Sequence, residues 1–78
     1  MNKVREFYIP FGAIKVSDKN SDAVAYVFTN IKGKPAAMLF VGKQSKPLWH
    51  YYYATEARRE AAIIDAFANR RAILARKA

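Results

Sequence analysis

The sequence predicts an α+β domain: a four-stranded antiparallel meander followed by one C-terminal helix packed on one face, in the order ββββα. Three observations predict it. Up to residue 53 the chain falls into short runs of β-branched and aromatic residues, separated by clusters of Gly, Pro, Asn, Asp and Ser. At Thr55 the pattern changes to a 3.6-residue period that continues to the end. The lengths also agree. Sixteen helical residues from Thr55 to Arg70 span about 24 Å, and a seven-residue strand spans about 23 Å.

The first strand is expected at Val4 to Ile9, bent at Pro10-Phe11-Gly12 and resumed from Ala13 to Val16. The stretch Ser17-Asp18-Lys19-Asn20-Ser21-Asp22 consists of turn formers. Ala23 to Thr29 reads as the second strand, closed by the loop Asn30-Ile31-Lys32-Gly33-Lys34, where Gly33 is free to take positive φ. Ala36 to Val41 reads as the third strand, Gly42 to Pro47 as a turn, and Leu48 to Tyr53 as the fourth strand. Thr55 is the expected helix cap, with Glu56 placing negative charge at the positive end of the dipole. At 100° per residue, Ala57, Ala61, Ile64, Phe67, Ala68 and Leu74 share one side, with Ile63 at its margin. Arg71 falls inside that stripe. Packing is therefore expected to end near Asn69, and residues 70–78 to project past the sheet as a basic tail. The 78 residues make one domain.

Composition narrows the function. A chain this short buries only about 60% of the surface it exposes when unfolded, so its core alone gives marginal stability. With no cysteine and a single histidine, His50, neither a disulfide nor a structural zinc site is expected. The lack of cysteine fits a reducing, cytoplasmic compartment. No apolar h-region follows Met1 to Glu6, so no signal peptide is expected. No membrane role is expected either: the longest uncharged apolar run, Pro35 to Gly42, is too short to span a bilayer. There is no glycine-rich phosphate loop, no paired catalytic carboxylates and no nucleophile–base pair. The expectation is a binding protein, not an enzyme, with no cofactor.

Two features point to what it binds. The first is charge: fourteen Lys and Arg stand against six Asp and Glu, a net +8. Such a surface attracts polyanions. A meander brings the 17–22 and 42–47 loops to one end, where the helix C-terminus also arrives. Lys15, Lys19, Lys43, Lys46, Arg70, Arg71, Arg76 and Lys77 are expected to gather there as a phosphate-binding footprint, offset in part by Asp18 and Asp22. Long basic side chains also solvate a surface that has no partner. The second feature is an aromatic surplus. Ten of the eleven aromatic residues precede the helix, and both strand faces carry apolar groups. One helix covers one face, so the other is expected to need a second copy, the bent first strand or a ligand. Trp49, Tyr51 and Tyr53 point to one side of the fourth strand. The row reads as core or dimer interface, or as a platform on which bases stack.

The stretch from Lys46 to Glu56, with Arg59-Glu60 after it and Gly33-Lys34-Pro35-Ala36-Ala37 before it, resembles segments of small accessory proteins of bacterial plasmids and phages. The likeness covers roughly residues 25–71 and implies a mobile-element context. The ββββα order is also similar to the single-strand-binding halves of positive-cofactor-4-like and Pur-like proteins, an analogy of fold that does not fix function. Two functions are therefore carried forward. One is a nucleic-acid-binding accessory protein, with single strand and duplex both open. The other is an anti-CRISPR-like inhibitor that binds a host protein or ribonucleoprotein complex. A homodimer is expected in either case.

Overall fold

The structure is a computed structural model that describes residues 9, 10 and 12–77. Its elements are β1 (Ile14–Ser17), β2 (Ala23–Thr29), β3 (Pro35–Val41), β4 (Trp49–Tyr52) and α1 (Glu56–Lys77). All neighbouring strands pair antiparallel in the order β1-β2-β3-β4, an open meander followed by one helix. The ββββα reading is correct. The expected strand at Val4 to Ile9 lies outside the described residues, except for Ile9, which is in no strand. The Pro10-to-Gly12 bend is a turn in which the Ala13 N–H donates to the Pro10 carbonyl at 3.1 Å, with Gly12 at φ +86°.

The turns form where their residues supply local partners. Asp18 accepts from the Ser21 hydroxyl at 2.7 Å, and the Ser21 oxygen accepts from the Ala23 N–H at 3.2 Å. Asn30 accepts through its side-chain oxygen from the N–H groups of Lys32 and Lys34, at 3.0 and 2.9 Å. Gly33 closes that hairpin at φ +81°, a conformation that costs a residue with a Cβ. At the helix start the Thr55 hydroxyl accepts from the Arg58 N–H at 3.2 Å, satisfying one of the first-turn donors.

Register divides the sheet. Val16, Ala23, Ala25, Val27, Ala37, Leu39, Val41 and Trp49 share the face on which α1 packs, and Ile63 and Phe67 come down onto them. The small residues Ala23, Ala25 and Ala37 let the helix approach β2 and β3 closely, and each is essentially inaccessible. The helix therefore lies over the centre of the sheet. Between β4 and α1 it leaves a groove lined by aromatic residues. No helix among the described residues is long and apolar enough to cross a membrane.

Two sequence expectations need correction here. The packed helix stripe is not the one centred on Ile64. Ile64 is 66% exposed, and Ala57, Ala61 and Ala68 are exposed too. The stripe instead runs through Arg59, Ile63, Ala66, Phe67, Arg70 and Ile73. Alanines count as apolar but bury little, whereas an arginine lays its stem on apolar surface while its head finds oxygen partners. That shift also changes the basic tail. The helix stays in contact beyond Asn69, because Arg70, Ile73 and Leu74 are half-buried.

The second correction concerns the far face. It was expected to need a second copy, the bent first strand or a ligand to cover it, and Ala36, Met38 and Phe40 on it are 0–2% exposed within the single chain. Tyr26 meets Phe40 edge-on with ring centroids 5.6 Å apart. The argument for a second copy covering the middle of that face falls with this burial.

Candidate nucleic-acid interface

The expected basic cluster forms only in part. The helix C-terminal half does reach the 18–22 turn, as the meander requires, and acidic residues meet it there. Arg70 donates from Nε and Nη2 to the two carboxylate oxygens of Asp22, at 2.7 and 3.0 Å. Arg71 donates from Nε to Asp18 at 2.9 Å. The Asp18 side chain is only 8% exposed. The Ser21 hydroxyl bond, seconded by Arg71, holds the Asp18 carboxyl below its ordinary value. The Arg70 fork does the same for Asp22, with Lys77 adding to it, and Asp22 in turn raises Arg70. Both guanidinium groups are thus engaged in joining α1 to the β1–β2 turn.

Of the other predicted basic residues, Lys19, Lys43, Lys46, Arg76 and Lys77 are exposed at this end. Lys15 is exposed as well but alternates with Val16, so it lies on the face opposite the helix. It does not join the group.

The aromatic row is where the chemistry concentrates. Trp49 is half-buried against the core, and Tyr51, 59% exposed, stacks on it with centroids 5.4 Å apart and planes 16° from parallel. Tyr53 continues the row; burial raises its phenol above the ordinary value, with Tyr51 adding to the effect. These three rings form one wall of a groove of about 320 Å³, floored by Leu39 and Val41. Ala62, Ala66 and Ile73 of α1 form the opposite wall, to which Asp65, Asn69 and Arg70 also belong.

The groove exists because of the residues on its two sides. β4 carries Trp and Tyr where β3 carries Ala and Leu, and these rings are too large to lie beneath a helix seated on alanines. The alanines of α1 leave the space open. A volume of this size is at the low end of small-ligand sites and suits one planar ring. It is partly open to solvent.

Sequence reasoning found the aromatic wall and missed the helical one. Asp65 and Asn69 are one helical turn apart, with Ala62 and Ala66 between and before them. That spacing marks one face, and it was legible once the stripe was centred correctly. Arg59, which reads in sequence as one more basic group near the helix start, has a structural part. Its Nη1 donates to the Phe28 carbonyl at 3.1 Å, and its Nε is buried without a partner. It ties the first turns of α1 to the end of β2.

No protein family, no curated protein and no solved structure matches this chain.

Proposed function

We propose that this domain is a non-catalytic nucleic-acid-binding module that takes single strands, stacking a base in the groove between β4 and α1. The observation that carries the reading is the Trp49–Tyr51 stack extended by Tyr53 and open to solvent along a groove beside a basic end. Bases stack on such rings regardless of sequence, with on the order of 1–3 kcal/mol per base. Duplex bases are already stacked, which favours the single strand. Backbone phosphates would be met by Lys19, Lys43, Arg76 and Lys77, not by Arg70 and Arg71, which hold carboxylates. A mobile-element accessory role fits a small basic binder of this kind.

Salt dependence tests the reading. Labelled single-stranded DNA, single-stranded RNA and duplex are titrated by anisotropy at 50 and 200 mM salt. Each phosphate neutralised on a single strand contributes a slope of about −0.7 in log K against log salt. Four to six contacts then cost on the order of 100-fold between those conditions. Replacing Lys43, Arg76 and Lys77 together with Gln should flatten the slope and leave the fold intact, since all three are exposed. Binding weaker than about 100 μM at 50 mM salt would overturn the reading, because ordinary non-specific binders do better.

A host-protein target, as for an anti-CRISPR-like inhibitor, is the second reading. Among the described residues β4 ends the sheet order, which favours it, and Leu48 and Tyr52 are 59% and 67% exposed. An extended segment of a partner adding a strand there would use backbone bonds and these side chains. Its affinity would survive high salt far better than phosphate contacts do.

A further inference from the structure

We infer that the groove between β4 and α1 selects guanine, with Asp65 and Asn69 reading the base edge; this rests on the single-strand reading above. The argument begins with charge. In a chain of net +8, Asp18 and Asp22 are taken up by Arg71 and Arg70. Asp65 is the carboxylate of the groove, and among the described residues it has no ion-pair or side-chain hydrogen-bond partner. Asn69, one turn further along the same face, has none either.

A carboxylate lining the same groove as the aromatic rings repels phosphate and sugar oxygens. The backbone must therefore pass outside, toward the lysines, and the base edge must point at Asp65. What a carboxylate accepts best is two adjacent N–H donors in one plane. Guanine alone among the bases offers that pair, at N1 and N2. Its O6 stands next to N1, and the Asn69 amide supplies the donor that O6 requires. Adenine and cytosine each offer one amino group beside an acceptor nitrogen. Thymine and uracil flank their single N–H with two carbonyls, which a carboxylate repels. Asp65 and Asn69 together therefore complement guanine and no other base fully.

The test uses seven-nucleotide oligo-dT carrying one central dG, dI, dA or dC, with all-dT as reference, titrated against the full chain while Trp49 emission and anisotropy are read. The dG oligonucleotide should bind about fivefold or more tighter than all-dT, as a bidentate base contact does. Inosine, which lacks the N2 amino group, should fall between. In Asp65→Asn the preference for dG over dA should shrink to within about twofold, while affinity for all-dT rises because a negative charge has gone. Asn69→Ala should reduce the dG preference in part. Asp65 and Asn69 are both exposed, so neither variant threatens the fold. Equal affinity for all five oligonucleotides, a preference for another base, or a dG preference that survives Asp65→Asn would overturn this inference and leave single-strand binding standing. If no oligonucleotide binds, both fall.

Discussion

β3 and β4 are neighbours paired over four residues, from Ala36 opposite Tyr52 to Leu39 opposite Trp49. Both are apolar in sequence, yet their fates differ. β3 is buried on both faces from Ala36 to Val41, while in β4 only Trp49 is half-buried and His50, Tyr51 and Tyr52 are exposed. The difference comes from strand order and side-chain size. β3 lies beneath the helix and its Ala37 admits it, whereas β4 is the edge of the described sheet and its rings hold the helix off. Hydrophobicity sets what can be buried, and position decides what is. The strand that carries stability and the strand that presents aromatic surface are thus adjacent but separable.

The largest expected effect contrasts the two strands directly. Phe40→Ala should cost about 3–5 kcal/mol and Leu39→Ala about 2–5 kcal/mol, from lost burial plus the cavity left behind. Tyr52→Ala on β4 should stay within about 0.5 kcal/mol, as exposed sites do. Urea denaturation measures both; a Tyr52→Ala loss comparable to that of Leu39→Ala would make β4 part of the core. Next in size, Ala37→Leu should cost about 1–3 kcal/mol, because Ala37 is fully buried on the face that carries the helix. The equivalent enlargement at the groove, Ala62→Leu, should be nearly neutral to stability while blocking the Trp49–Tyr51 surface from a base.

The smallest effect belongs to the Arg70–Asp22 and Arg71–Asp18 contacts. Both carboxyls sit below their ordinary values when folded. Their contribution is therefore present above the unfolded carboxylate range, about pH 4, and lost as pH falls through the lower folded values. A Tm series should show no change from this source between pH 8 and 5 and a decline below about pH 4. The Asp18→Asn/Asp22→Asn variant should lack that part of the decline. Arg71 and Asp22 leave these contacts partly open to solvent, which screens them, so the shift should be a few degrees at most.

The strands, the loops and the Thr55 cap were readable because alternation, turn formers and the capping hydroxyl are local signals. The helix stripe was not, because alanine at Ala57, Ala61 and Ala68 looks the same to a periodicity argument whether it packs or simply favours helix. Arg59 and Arg70 look like surface residues until an acceptor is placed, the Phe28 carbonyl for one and Asp22 for the other. The basic cluster was foreseen by topology, since the meander does bring α1 to the 18–22 turn. That two of its arginines would be engaged by acids depends on rotamers and on which face Asp18 and Asp22 take, and no sequence pattern carries that. The aromatic row was seen but its setting was not: it is half core and half groove.

The central claim is that a base stacks on the Trp49–Tyr51 surface, and Trp49, the chain's only tryptophan, reports on it directly. Tryptophan emission of the parent protein and of Ala62→Leu is followed during titration with oligo-dT at 50 mM salt. The account predicts strong quenching in the parent that saturates with binding, and little quenching in Ala62→Leu, whose weaker residual binding comes from phosphate contacts alone. Binding that leaves Trp49 emission unchanged in the parent, or equal quenching in both proteins, would contradict it.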